Sequence, residues 1–192
     1  WEAAGGRQVL HSSVPGTLAA LAELGLGRPF AAARDKVSLV SQLTEELRAA
    51  RAQADVVAFD VEWPPDRTGA APNKAALLQL AFRPSEVPGA VFVIDVQAWD
   101  EELEEFTREL LASNLPKLVF GPGDAERLQM RLCSSVDLQE GGLSLATQAR
   151  KAGLLMQKPK QLQAADWSQR PLRDEQLVYA ATDALALLEL PG

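Results

Sequence analysis

Apolar residues follow two patterns along the chain, short continuous runs and helical spacing, and each pattern predicts one kind of element. Short apolar runs rich in β-branched, leucine and aromatic residues, bounded by Pro and Gly, are typical of buried strands. They predict five strands, at residues 56–61, 76–82, 91–95, 118–120 and 135–138. The connections between the first three are too short for crossover helices, so these strands are expected to form an antiparallel meander.

Apolar residues at helical spacing predict the elements between and after these strands. They predict helices at residues 38–51, 101–111, 124–132, 143–153 and 174–190. Ser38 is the expected N-cap of the first of these helices. A further short helix is expected at residues 17–24, in a segment rich in Ala, Gly and Leu. The order of elements predicts an α/β fold, a mixed sheet with helices packed on it.

Composition excludes several classes of protein. The chain has 192 residues, of which 47% are hydrophobic and 23% charged, as expected for one folded domain with a flank. It contains no continuous apolar run of about 18 residues that would predict a membrane span. Its single cysteine, Cys133, excludes a disulfide scaffold and favours a reducing, intracellular compartment, without separating nucleus from cytoplasm. Its single histidine, His11, excludes any mechanism that needs two histidines.

The chain divides into two parts of different character. Residues 1–35 are predicted to be an N-terminal extension or linker, and residues 36–192 the folded domain. Because the first residue is Trp1, we expect a piece of a longer chain. The net charge is −7, whereas nucleic-acid-binding proteins are usually basic. The negative charge argues against a nucleic-acid partner unless the acids are concentrated at a metal site.

Two acids lie where the pattern predicts a buried strand. Asp60 and Glu62 occur in VVAFDVEW, and residues two apart on a strand point to the same face. Carboxylates are seldom buried unless they are paired or bind a metal. The alternative is that the strand ends at Phe59 and both acids are solvated.

A third acid, Asp183, lies in the middle of a helix that is apolar on nearly every face, within DEQLVYAATDALALLEL. Tyr179 is one turn earlier on the same face. A structural ion pair with an Arg or Lys is the alternative explanation of Asp183, and a packed aromatic that of Tyr179. A fourth acid, Asp124, follows a predicted strand and opens a helix, where it is also a common N-cap.

Taken together, the four carboxylates indicate a metal site. Carboxylates in one cleft disfavour each other's ionisation, and hard divalent cations such as Mg²⁺ or Mn²⁺ remove that conflict. Two such ions about 3.5–4 Å apart are the known arrangement for displacement at phosphorus. The predicted chemistry is phosphodiester hydrolysis.

These motifs resemble the signature of the DEDDy-type 3′–5′ exonucleases, the family of RNase D, the Werner exonuclease domain, and the Nibbler and mut-type proteins. The signature consists of DVE at residues 60–62, Asp124, and YAATD at residues 179–183. Further similarity lies in LLQLAF (77–82), GLSLATQ (142–148) and the stretch 161–184. The resemblance covers most of the chain, from about Lys36 to Leu190.

The resemblance implies an RNase H-like fold, a five-stranded mixed sheet with helices on both faces. It also implies roles: Asp60, Glu62 and Asp183 would hold the first of two Mg²⁺ or Mn²⁺ ions with the attacking water. Asp60 would bridge to the second ion, and Asp124 would help to hold it. Tyr179 would orient the water.

The second motif departs from the family pattern. FGPGD at residues 120–124 is compact, and KLVFGPGD looks most similar to the mut-type and Nibbler branch, with a possible one-residue deletion. The placement of Asp124, and with it the second metal, is therefore the part of the site that the sequence defines least.

A locally basic stretch provides candidate substrate contacts. Residues 150–173 contain six Lys and Arg against one acid, and such a patch can bind a phosphate backbone. Lys158, Lys160 and Arg170 are the expected phosphate contacts, with an ordinary solvated surface as the alternative. Trp63 could stack on the terminal base or pack in the core.

We therefore predict a metal-dependent 3′–5′ exonuclease that acts on single-stranded nucleic acid with a free 3′ end, RNA favoured, and releases nucleoside 5′-monophosphates. Three alternatives stay open. They are a DNA-directed exonuclease of the Werner type, a catalytically weak nucleic-acid-binding or scaffold module, and a structural domain whose buried acids are ion-paired.

Overall fold

A six-stranded mixed sheet forms the centre of the molecule in a computed structural model, which describes residues 27–84, 91–121 and 123–191. Its strands are β2 (Val37–Val40), β3 (Ala54–Glu62), β4 (Leu77–Pro84), β5 (Val91–Asp95), β6 (Lys117–Val119) and β7 (Ser135–Asp137). They lie in the order β2-β5-β4-β3-β6-β7. A separate parallel pair joins β1 (Arg28–Phe30) to β8 (Leu154–Met156).

The antiparallel meander is confirmed, because β4 pairs with both β3 and β5 in antiparallel register. The outer strands β2, β6 and β7 each pair parallel with their inner neighbour. All five predicted strands form, and β2 makes the sheet six-stranded instead of five-stranded.

The predicted start of the first helix is wrong. Ser38 lies in β2, where the segment pairs with the apolar strand β5, and it does not cap a helix. Helix α1 (Glu45–Gln53) begins later, after Thr44, whose hydroxyl accepts a hydrogen bond from the Leu47 N–H at 3.2 Å. Short apolar runs can form either a helix or a strand. Pairing with β5 makes the first part of this segment a strand in spite of the helical spacing of residues 39–47.

Four further predicted helices form near their predicted positions, namely α2 (Glu101–Ala112), α3 (Gly123–Leu128), α4 (Leu145–Lys151) and α6 (Asp174–Glu189). Helix α3 ends at Leu128 instead of residue 132. Helix α5 (Lys160–Gln163) and a 3₁₀ turn at Arg34–Lys36 were not predicted. The helix expected at residues 17–24 and His11 lie outside the described residues. Within the described residues, no helix is both long and apolar enough to cross a membrane.

The sheet has an apolar layer on each face, because the inner strands are apolar at consecutive positions. Val57, Phe59 and Val61 of β3 pack towards α1 and α2. Ala58 packs on the opposite face, with Leu77, Val93 and the buried side of α6. Helices on both faces were expected, and that arrangement is confirmed.

Helix α6 can lie close to the sheet because its buried face is built from small residues. Ala180, Ala181, Ala184 and Ala186 are all completely buried. Side chains of this size bring the helix axis near the sheet, and a functional group in the middle of α6 thereby comes near β3.

Residues 28–35, predicted to be part of the N-terminal extension, contact the domain. β1 pairs with β8, and the Ala32 N–H donates a hydrogen bond to Thr182 Oγ1 of α6 at 2.9 Å. The boundary between extension and domain at residues 35 and 36 stays a prediction.

A half-buried ion pair holds the segment that leads into α6. Arg170 Nε and Nη2 each donate to a carboxylate oxygen of Asp95, at 2.6 Å, at the end of β5. The same guanidinium donates to the carbonyl oxygens of Ala76, Trp167 and Gln169. This network connects the sheet to the segment in front of α6.

Arg170→Leu is expected to lower the free energy of unfolding by about 3 kcal/mol, because Asp95 would stay buried without its partner. Urea denaturation would measure the loss. The matched control is Arg108→Leu, which removes an exposed guanidinium that pairs with Glu104 and Glu105 and should change the stability by less than about 1 kcal/mol. Equal losses in the two variants would contradict a structural role for the Arg170–Asp95 pair.

Candidate active site

The end of β3 presents two carboxylates to the helix that covers it. Asp60 and Glu62 lie two and four residues after Ala58 and share its face, the face on which α6 packs. The strand continues to Glu62, with register partners on β4 as far as Leu77. The alternative in which the strand ends at Phe59 is therefore excluded.

Helix α6 supplies the facing groups. Asp183 is only 3% exposed and Tyr179, one turn earlier, 8%. The Tyr179 ring packs on Trp167, with ring centroids 5.9 Å apart. Close packing of the alanine face of α6 places both groups against β3.

Three carboxylates converge on one point. One oxygen each of Asp60, Glu62 and Asp183 lies within 4.8 Å of the others. Residues from a strand and a helix more than a hundred positions apart in sequence thus meet at the edge of a cleft.

Asp124 joins this cluster from a third element. It is the second residue of α3, just after β6, and it is 7% exposed. Since β6 is the parallel neighbour of β3, Asp124 lies beside Asp60, close enough for the charge of Asp60 to raise the pKa that burial of Asp124 has already raised. Asp124, the last residue of the FGPGD motif, therefore still lies beside the first motif.

A lysine faces the acids. Lys158 Nζ forms an ion pair with Asp183 Oδ2, donates to the Tyr179 hydroxyl at 3.0 Å, and lies 4.5 Å from the centre of the Tyr179 ring. The ion-paired alternative weighed for Asp183 is thus present in the structure.

Burial and mutual repulsion raise the pKa values of the acids in the cluster. Burial, followed by the charges of Asp60 and Asp183, holds the pKa of Glu62 well above its ordinary value. Burial raises the pKa of Asp183 to about 7 in spite of Lys158, and burial with the charge of Asp60 raises the pKa of Asp124 to about 8. The cluster therefore resists full ionisation in the absence of further positive charge.

The residues present fit a divalent metal ion. Asp183 Oδ1 and Asp124 Oδ2 are buried and accept no hydrogen bond from the described residues. The donor atoms of the cluster are all carboxylate oxygens, the ligands that hard divalent cations prefer. A bound cation would satisfy these oxygens and reduce their repulsion.

The remaining predicted site residues occupy different surroundings. Lys160 is exposed at the start of α5. The Arg170 guanidinium is occupied by Asp95 and three carbonyls, as described above. One face of the Trp63 ring is covered by the Arg127 guanidinium at 4.4 Å, and Arg127 in turn pairs with Asp66. The ring also packs against the core on the α1 and α2 side of the sheet.

Sequence reasoning missed Gln79. It lies directly opposite Asp60 in the β3–β4 register and is completely buried. Neither of its side-chain polar atoms has a hydrogen-bond partner among the described residues. A single amide within the apolar run LLQLAF was the available signal, because an amide is costly to bury in a strand.

A mixed sheet that carries carboxylates at the end of its central strand and on a packed helix assigns the fold to the RNase H-like class. Comparisons with known proteins support that assignment. A family model described as 3′–5′ exonuclease matches residues 35–191. The chain belongs to this 3′–5′ exonuclease family.

Two relatives in sequence are named as exonucleases. The human exonuclease mut-7 homolog is 32% identical, over 70% of this chain and 19% of that protein. The mouse bifunctional 3′–5′ exonuclease/ATP-dependent helicase WRN is 27% identical, over 76% of this chain and 11% of that protein. The chain thus spans about a fifth or less of the length of these relatives.

Solved structures share the fold. The Nibbler EXO domain of Aedes aegypti superposes with a TM-score of 0.58 at 27% identity, over 81% of this chain and 85% of that chain. Trypanosoma brucei RNase D has a TM-score of 0.64 at 24% identity, over 79% and 62%. The RNase H-like fold predicted from the motifs is confirmed.

The raised pKa values predict how stability depends on pH without metal. A carboxyl with a higher pKa in the folded state stabilises the fold while protonated. This contribution is complete below the ordinary pKa of 3.8 and is lost as the pH rises through about 7 for Asp183 and about 8 for Asp124. We therefore expect the Tm in EDTA to fall across that range, as measured by scanning calorimetry.

Asp124→Asn tests the assignment of the upper part of this range. Since an amide does not titrate, the fall in Tm between pH 7 and pH 8 should be smaller in this variant. A fall as steep as in the unmodified protein would show that Asp124 does not titrate there.

Proposed function

We propose that this domain is a metal-dependent 3′–5′ exonuclease that shortens single-stranded nucleic acid with a free 3′ end, with RNA favoured over DNA. The observation that carries the proposal is the convergence of Asp60, Glu62 and Asp183 within 4.8 Å, in a chain of the 3′–5′ exonuclease family. Contact of Asp124 with Asp60 supports a site for two ions, Mg²⁺ or Mn²⁺.

The reaction adds water across the terminal phosphodiester bond. It releases a nucleoside 5′-monophosphate and leaves a new 3′-hydroxyl on the shortened strand. When bound, the two divalent ions supply Lewis-acid chemistry for the attacking water and the leaving oxygen. Asp60, Glu62 and Asp183 would hold one ion, and Asp60 with Asp124 the other.

Tyr179 would orient the attacking water. Its hydroxyl is directed into the cluster, where it contacts Lys158. Burial, together with the charge of Asp183, raises its pKa, so the phenol stays protonated at neutral pH. Tyr179 therefore acts as a hydrogen-bonding group and not as a base.

The cleft beside the acids has room for part of a nucleotide strand. It has a volume of about 430 Å³ and is lined by Asp60, Asp183, Lys158, Phe120 and Ser144. Among the cations of the basic stretch, Arg150, Lys151 and Lys160 are exposed, and Lys160 is our candidate for a phosphate contact. Trp63 is a weaker candidate for base stacking, because Arg127 covers one face of its ring.

The preference for RNA is supported by the second motif. FGPGD resembles the mut-type and Nibbler branch of the family, and that resemblance implies an RNA-trimming protein. The human mut-7 homolog is also the more similar of the two named exonucleases, at 32% against 27% identity for WRN. A Werner-type, DNA-directed activity is the second candidate.

The direct test is degradation of 5′-labelled single-stranded RNA and DNA of matched sequence, with Mn²⁺, Mg²⁺ or EDTA. We expect a one-nucleotide ladder from the 3′ end that is faster on RNA. Asp60→Ala and Asp183→Ala should remove it as completely as EDTA does, because each deletes a ligand to the metal site.

Asp55→Ala is the matched control, since it removes an exposed carboxylate from the same strand. The ladder should persist in this variant. A faster ladder on DNA would favour the Werner-type activity. Retarded migration of the oligonucleotide without any ladder would indicate the binding or scaffold module instead.

Tyr179→Phe separates water orientation from metal binding. It removes only a hydroxyl, and we expect the single-turnover rate to fall by about 100-fold. Mn²⁺ affinity, measured by isothermal titration calorimetry, should change little. A normal rate would contradict the role of Tyr179.

A further inference from the structure

Lys158 occupies an unusual position for a lysine in a proposed metal site. Its ammonium pairs with Asp183 and lies against Tyr179. Burial raises the pKa of Asp60 and of Glu62, and the charge of Lys158 offsets part of that rise. Its side chain is only 18% exposed. The ammonium is thus placed where a cation neutralises the cluster.

The backbone around Lys158 is fixed, while its side chain is long and flexible. Residue 158 follows β8 by two positions, and β8 is held by its pairing with β1. The Lys158 carbonyl oxygen accepts a hydrogen bond from Gln163 Nε2 of α5 at 3.0 Å. Its four-carbon side chain can therefore move its charge while the main chain stays in place.

An ammonium and a divalent ion compete at this position. Lys158 occupies Asp183 Oδ2, one of the two oxygens that this carboxylate can offer a metal. Two positive charges within a few ångströms also repel each other strongly where little water screens them. Binding of a metal ion at Asp183 therefore favours departure of the ammonium.

We propose that Lys158 is a tethered counterion that stabilises the carboxylate cluster in the metal-free protein and leaves Asp183 when a divalent ion binds. This inference rests on the metal site of the proposed function but not on nuclease activity. After its departure, the ammonium remains at the wall of the cleft, where it is available to a substrate phosphate. Metal binding and substrate binding would thereby be coupled through one side chain.

Isothermal titration with Mn²⁺, without nucleic acid, tests the competition. Lys158→Met keeps the length and apolar character of the side chain but removes the charge, and we expect it to bind Mn²⁺ about tenfold more tightly. Lys158→Arg keeps a cation and should stay close to the unmodified protein. Lys151→Met, which removes an exposed charge at the end of α4, is the control and should have no effect.

Equal or weaker Mn²⁺ binding by Lys158→Met would overturn the proposal. Absence of Mn²⁺ binding in both the unmodified protein and this variant would do so as well. A missing ladder in the degradation assay would refute the nuclease activity and leave this comparison of affinities valid.

Thermal denaturation distinguishes the proposal from simple damage to the fold. Lys158→Met should have a lower Tm than the unmodified protein in EDTA, because the carboxylates lose their cation. Saturating Mn²⁺ should reduce or reverse this difference. A Tm lowered equally in EDTA and in Mn²⁺, or a Tm raised in EDTA, would contradict the role of Lys158 as a counterion.

Discussion

Repulsion between carboxylates in a poorly hydrated cleft is the constraint on which this structure depends. Burial raises the pKa of Asp60, Glu62, Asp124 and Asp183, and neighbouring negative charges raise it further at the last three. The surrounding structure holds these carboxylates together in spite of that cost. Binding of a metal ion is then favourable, because it relieves a repulsion that the fold maintains.

The elements that hold the acids are among the best packed in the molecule. β3 is a central strand with partners on both sides, and the alanine face of α6 packs directly on the sheet. Arg170 joins the end of β5 to the segment before α6. The free energy gained by apolar burial on both faces of the sheet offsets the cost of bringing like charges together.

Positive charge is distributed unevenly around this site. A net charge of −7 would suggest a poor partner for nucleic acid, but the acids are partly gathered in one cluster. Three cations of the basic stretch form ion pairs in this structure, namely Lys158, Arg170 and Arg173. Ion pairing therefore decides which cations are available to a substrate, and counting charges along the sequence cannot.

The α/β class, the antiparallel meander and the five strands could be predicted from the sequence. Local periodicity also places Asp60 with Glu62, and Tyr179 with Asp183, on shared faces. The meeting of these two pairs in one site was expected from the family resemblance. Strand β2 could not be predicted, because the apolar residues between 37 and 47 suit a helix or a strand until β5 is present to pair with them.

The tertiary structure alone decided three contacts of the site and its support. They are the contact of Asp124 with Asp60, the pairing of Lys158 with Asp183 and the pairing of Arg170 with Asp95. Each joins residues at least 25 positions apart, and local sequence carries no record of which distant charge a side chain meets.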